Sequence, residues 1–197
     1  MNENFSLKEI DISKVKDILI NLINKQFNNQ LDKEEEQFII DVIKIYPDIV
    51  NEIDLGPEKM FELIEKNEQL SFNILRDICQ NNNYLDYIAL FITRKWSINS
   101  MKVLYKLFQI IEFPEKFIYT YFNHCIHLFK DENNEFMKKR MSNILSVFIL
   151  SLLKFGHITF DSIPPSIDEV FKMNIEEPDV LSLKQKIEQY RKDHQIG

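Results

Sequence analysis

The stretch Ser97–Ile126, SINSMKVLYKLFQIIEFPEKFIYTYFNHCI, decides the fold. Met101, Leu104, Leu107, Phe108 and Ile111 recur at the spacing of one helical face. Beyond Phe113-Pro114 the pattern resumes with Phe117, Ile118, Tyr121, Phe122, Cys125, Ile126 and Phe129. Ser97 supplies an N-cap for the first helix, and Pro114 starts the second, which is predicted to run to about Lys130. The stretch is therefore two apolar-faced helices hinged at a proline. It holds no pair of groups positioned for chemistry.

The same period extends toward both ends. Ile12, Val15, Ile18, Leu19, Leu22, Ile23 and Phe27 predict a helix starting at Asp11 or Ser13 and closed by Asn28-Asn29-Gln30. Asp32 with Glu35 forms a capping-box pattern ahead of Phe38, Ile39, Val42, Ile43 and Tyr46, and Pro47 stops that helix. Gly56-Pro57 opens a helix through Met60, Phe61 and Ile64, and Asn67 caps the next, with Leu70, Phe72, Ile74, Leu75 and Ile78 inside. After a polar break at Asn81-Asn82-Asn83, Tyr84 to Thr93 resumes the pattern through Leu85, Ile88, Phe91 and Ile92.

Downstream, Asp131 to Asn134 reads as a turn, followed by a long helix from Glu135 to Phe155 with Gly156 as its stop. Ile158 to Ser166 is a loop with Pro164-Pro165, then a short helix covers Ile167 to Met173. A charged helix from Asp179 to Gln195 carries a thin stripe of Leu181, Leu183, Ile187 and Tyr190. It either docks on the body or frays. No strand pattern appears. The expected fold is all-α, a compact stack of antiparallel helical hairpins of the HEAT or MIF4G kind, with roughly eight to ten helices. The expected segments are an N-terminal helix at 1–30, a helical domain at 31–158 and a loop with a charged helix at 159–197.

Composition supports this architecture and narrows the function. The chain has 197 residues, 45% of them hydrophobic, which is ample for one sizeable core. Three glycines and six prolines are too few for the many tight turns of an all-β fold. The formal net charge of −7 repels a phosphate backbone unless the basic residues are segregated. The one compact basic run is Lys138-Lys139-Arg140, a single helical turn that reads as a solvated face. Cys79 and Cys125 are far apart and sit in apolar helical contexts, so they read as buried free thiols in a reducing compartment. Met1 to Lys16 lacks the apolar centre of a secretory signal, and the apolar run Ile144 to Leu153 is shorter than the ~20 residues of a membrane span. A soluble intracellular protein with no membrane contact is expected.

A search for reactive groups finds little. His124 and His127 share a helical face, but a structural zinc needs four ligands and no second cluster accompanies them. No glycine-rich phosphate loop or nucleophile elbow is present, and Cys125 and its neighbour His124 point about 100° apart on a helix. Glu34-Glu35-Glu36 lies in a helix's first turn, where it suits the macrodipole. No catalytic residue, metal or cofactor is expected. What remains is surface for contact. Trp96, the only tryptophan, follows Arg94-Lys95 and is either a binding hot spot or a residue closing the core at a loop. Tyr119 and Tyr121 lie on different faces of one helix, so at least one reaches the surface. Trp96, Tyr105, Phe113, Pro114, Tyr119 and Tyr121 cluster around two helix junctions and are the candidate partner-binding residues.

Five collinear pieces resemble a known family. They are LGPEKMFELIEKNEQLSFNIL (Leu55–Leu75), YLDYIALFI (Tyr84–Ile92), SINSMKVLYKL (Ser97–Leu107), FPEKFIYTYFNHCI (Phe113–Ile126) and FMKKRMSNILSVFILSLLKFGHI (Phe136–Ile158). In order and spacing, Asp54 to Ile158 resembles the conserved domain of subunit 11 of the CCR–NOT mRNA deadenylase complex, and LDKEEEQFIIDVIKIYPDIVNEI is similar to its lead-in helices. The resemblance implies a non-catalytic subunit that pairs with the helical-repeat subunit 10. In that family the pair docks on the N-terminal part of the large scaffold subunit. The complex shortens poly(A) tails, represses translation and promotes mRNA decay, which places the protein in the cytoplasm and the nucleus. The conserved domain would serve as a platform for further proteins. Two departures stand out. About 50 residues precede the domain here, where longer members have a substantial region, and Pro164 to Gly197 is more polar than the family's apolar closing helix. The alternative reading is a free-standing helical adaptor of another complex. An RNA-binding domain resting on Lys138-Lys139-Arg140 is a third, and direct nucleic-acid contact is not expected.

Overall fold

The structure is a computed structural model that describes residues 12–28, 30–53, 55–80, 85–174 and 176–194. The expected helix start at Asp11, the breaks at Asn29 and Asn81-Asn82-Asn83, Asp54 and the expected end at Gln195 lie outside the described residues. Ten α-helices and no strand occur among the described residues, so the protein is all-α. The helices are α1 (Ile12–Asn28), α2 (Lys33–Ile45), α3 (Pro57–Lys66), α4 (Glu68–Gln80), α5 (Leu85–Thr93), α6 (Ile98–Phe108), α7 (Glu115–Asp131), α8 (Glu135–Lys154), α9 (Asp168–Met173) and α10 (Pro178–Asp193). The chain divides into two compact units, Met1–Tyr87 and Ile88–Gly197.

Local chemistry sets several helix ends. Asp32 accepts from the Glu35 N–H at 2.9 Å while the Glu35 carboxylate accepts from the Asp32 N–H at 3.1 Å, a complete capping box. Asn67 Oδ1 accepts from the Leu70 N–H at 3.0 Å and starts α4. Ser97 accepts from the Ser100 N–H at 3.0 Å and starts α6. Pro57 occupies the first position of α3, where its missing N–H costs nothing. At the end of α8, Gly156 takes φ = 72°. There its N–H donates to the Leu153 carbonyl at 3.1 Å, and the His157 N–H donates to Leu152 at 2.9 Å. This double bond pattern needs a left-handed residue, which glycine adopts without strain.

In the first unit α1 packs on α2 and α3, and α4 packs on α2 and α3. Leu19, Ile39, Ile43, Met60, Leu63, Ile64, Leu70, Ile74 and Leu75 are fully buried and form its core. Pro47–Glu52 forms a 3-10 turn after α2, started by Pro47 at its first position. Several apolar residues expected inside face solvent instead. Ile12, Ile18 and Phe38 are among the exposed large hydrophobic residues, because the stripe on each helix is narrower than its full apolar set.

In the second unit α8 is the central element. It contacts α6, α7, α9 and α10. Phe148 meets four rings edge-on: Tyr105 at 6.3 Å, Phe108 at 6.3 Å, Tyr121 at 6.0 Å and Phe122 at 6.4 Å. Phe113 continues this aromatic core, 4.6 Å from Phe108 and 5.0 Å from Phe117.

The C-terminal helices dock. Val180, Leu183 and Ile187 bury against the unit, with α10 on α8. Arg191 holds Asp168 at 2.9 Å, and Asn174 donates to the Ser142 hydroxyl at 3.1 Å and the Lys139 carbonyl at 3.2 Å. The buried stripe includes Val180 rather than the expected Leu181, which is exposed. Positions 180, 183 and 187 share a face, and 181 is turned about 100° from it. The expected loop from Ile158 to Ser166 contains two short 3-10 turns, Phe160–Ser162 and Pro165–Ile167. Leu85, expected in the apolar pattern of α5, is also exposed. No helix among the described residues is long and apolar enough to cross a membrane.

Candidate protein-binding surface

α5 ends at Thr93, and the chain turns through Arg94 to Trp96 before Ser97 caps α6. The turn is clamped from α7. His124 Nε2 lies 2.8 Å from the Arg94 carbonyl, and because a carbonyl only accepts, that nitrogen carries the proton. The clamp leaves a cleft of about 530 Å³ between the turn, α7 and the start of α8. Trp96, Leu128, Met137 and Met141 give it an apolar lining. Lys95 and Arg140 are exposed at its edge, and Asp131 and Glu132 stand on one wall.

Beneath the cleft Trp96, Cys125, Phe129, Met141 and Leu145 enclose a void of about 10 Å³, no larger than a water site. The Trp96 indole nitrogen points inward and is buried. It and the Cys125 thiol neighbour the Tyr121 hydroxyl, which makes no hydrogen bond of good geometry there. Burial pushes the Tyr121 hydroxyl well above its ordinary pKa.

A second recess of about 290 Å³ lies between α6 and α8, lined by Ile98, Met101, Tyr105, Ile144, Val147 and Ser151. It is shallow and mostly apolar. Val147 is 43% exposed, although it falls within the apolar run Ile144 to Leu153.

The six candidate contact residues fall into three groups. Trp96 lines the cleft and Tyr105 lines the α6–α8 groove. Pro114 and Tyr119 are exposed but belong to neither recess. Phe113 and Tyr121 are core residues, 8% and 2% exposed, and a folded surface does not offer them to a partner. Tyr121 shares a helical face with Phe117 and Cys125, four residues either side, so it turns inward where Tyr119 turns out. Phe113 folds back over Phe117 ahead of α7. Arg140, Leu128, Met137 and Met141 also line the cleft. No local pattern marks them, because the cleft joins positions far apart in sequence.

The other singled-out residues have ordinary surroundings. His127 is exposed and lies 3.4 Å from Asp131. Among the described residues no group of three or more His, Cys, Asp or Glu side chains could hold a metal ion. Cys79 and Cys125 are both buried free thiols, and burial raises each pKa to about 12. Both stay protonated at neutral pH, and the thiolate is the nucleophile. Iodoacetamide at pH 8 is therefore expected to leave both unmodified in the native protein and to label both once it is unfolded. Mass spectrometry of the native sample showing fast labelling of either would contradict this burial. Above pH 9 the unfolded chain releases thiol protons that the folded chain retains, so these groups favour unfolding as pH rises.

The recesses of this all-α protein are lined by aromatic, methionine and scattered charged side chains. The family model of CCR4-NOT transcription complex subunit 11 matches residues 64–170, more than half of the 197-residue chain. The chain belongs to that family. The match runs from within α3 to within α9, and so contains both recesses and the Phe148 ring cluster. It reaches past Ile158, the end of the resemblance read from sequence, through both 3-10 turns.

Proposed function

We propose that this protein is a non-catalytic subunit of the CCR4-NOT deadenylase complex, serving as a protein-interaction platform in mRNA deadenylation, decay and translational repression, in the cytoplasm and the nucleus. The observation that carries this reading is the family match over residues 64–170, which spans the part of the chain holding both recesses. The chemistry of those recesses supports it. Their linings are apolar and aromatic with a few charges at the edge.

The partners this role implies are the subunit 10 homologue and the large scaffold subunit. Co-expression of this chain with the subunit 10 homologue from the same organism, followed by size-exclusion chromatography, tests the pairing. One co-eluting peak of equal stoichiometry is expected. Two separate peaks, with this chain folded by circular dichroism, would contradict it.

A further inference from the structure

We propose that the Trp96 cleft captures an acidic segment of a partner protein, one that seats a bulky apolar side chain against Trp96, Leu128 and Met141 and sets flanking carboxylates on Lys95 and Arg140. The proposal rests on the interaction-platform reading and names the chemistry of its partner.

The cleft's volume, about 530 Å³, is within the range of sites that bury a ligand group. Its lining suits a side chain of variable shape. Methionine side chains adapt to what they meet, and a tryptophan offers a large rigid face. The floor is firm, because His124 ties the Arg94 carbonyl to α7 at 2.8 Å and Ser97 caps α6 directly after the turn.

Charge identifies the partner. On a chain of net charge −7, Lys95 and Arg140 flank this cleft, with Lys138 and Lys139 preceding Arg140 on the same helix. Neither Lys95 nor Arg140 pairs with a carboxylate among the described residues. The two acids of the wall keep their charge but have local contacts: Asp131 lies 3.4 Å from His127, and Glu132 accepts from the Asn134 N–H at 2.9 Å. The lining thus carries three cations, Arg94, Lys95 and Arg140, against two acids on one wall, and carboxylates flanking an apolar residue find their complement at Lys95 and Arg140. A nucleic acid fits less well. It carries a phosphate at every nucleotide and would set some of them against Asp131 and Glu132. A peptide can place its acids only where the cations are.

Trp96 is the only tryptophan, so its emission reports on the cleft alone. The test is selection of a displayed random-peptide library on the whole protein, followed by titration of the enriched peptides against Trp96 fluorescence. Enriched peptides are expected to carry aspartate or glutamate beside a leucine, phenylalanine or tryptophan, and those without tryptophan should shift Trp96 emission to the blue. The Lys95→Glu, Arg140→Glu double variant should bind them roughly tenfold more weakly, with a flatter salt dependence. Both positions are exposed, so an unchanged unfolding midpoint is expected alongside.

The proposal is overturned if no peptide is enriched, if enriched peptides lack acidic residues, or if the double variant binds them as tightly as the native protein. It is also overturned if a single-stranded RNA oligonucleotide moves Trp96 emission and the peptides do not. Any of these results with the subunit 10 homologue still bound would remove the assignment of the cleft alone. Loss of that pairing would remove the platform reading itself.

Discussion

Replacing Phe148 with alanine lowers the stability of the second unit by about 3–5 kcal/mol. Phe148 is 6% exposed and stands in the middle of the aromatic core, with Tyr105, Phe108, Tyr121 and Phe122 all in T-shaped arrangement with it at 6.0 to 6.4 Å. Those four rings come from two different helices, α6 and α7, while Phe148 comes from α8. Truncation therefore removes more than one side chain's transfer free energy. It leaves a void that three helices would have to close together, and a close-packed interior relaxes only partly. Urea unfolding followed by Trp96 fluorescence is the suitable measurement, because the only tryptophan lies in the same unit. The midpoint should fall with the slope unchanged. A loss below about 1 kcal/mol would mean that these rings do not pack as described.

Substitution at two neighbouring tyrosines separates core from surface. Tyr121→Ala is expected to cost about 3–5 kcal/mol, and Tyr119→Ala less than about 0.5 kcal/mol. Tyr121 is 2% exposed and contacts Phe117, Phe122 and Phe148, whereas Tyr119 is 42% exposed on the outer side of α7. A Tyr121→Phe control sharpens the result. The hydroxyl sits buried beside Cys125 and Trp96 without a good hydrogen bond, so removing it should change stability by less than about 1 kcal/mol. Equal costs for Tyr119→Ala and Tyr121→Ala in thermal or urea unfolding would contradict the placement of α7. So would a large penalty for Tyr121→Phe.

Much of this fold was legible because its signals are local. Asp32 with Glu35, Asn67, Ser97, Pro57 and Gly156 each act within a few residues of themselves, and each sets a helix end as its chemistry predicts. The α7 stripe was legible for the same reason: spacing alone groups Phe117, Tyr121 and Cys125. Surface and core proved harder where a helix has more apolar residues than its neighbours can cover. Ile18, Phe38, Leu85 and Val147 are exposed for that reason, and only the tertiary packing shows which they are. Val180 and Leu181 differ by one position and by which of them faces α8.

The candidate site was legible only in fragments. Trp96 and Tyr105 were identifiable as aromatic residues near helix junctions, and both do line recesses. The partners that make those recesses, Arg140 with Met137 and Met141 for one and Ile144 with Val147 for the other, come from α8, a long way along the chain. Spacing rules describe one helix at a time and do not bring α8 beside the turn after α5. Lys138-Lys139-Arg140 shows the same limit. Read alone it is a solvated basic turn, yet the fold places Arg140 at the edge of the Trp96 cleft.

The measurement that bears most directly on the function is affinity purification of the tagged full chain from its native cells under gentle conditions, with mass spectrometry of what comes with it. The account predicts recovery of the large scaffold subunit of CCR4-NOT together with the subunit 10 homologue. Recovery of neither, from cells in which the complex is intact, would contradict it.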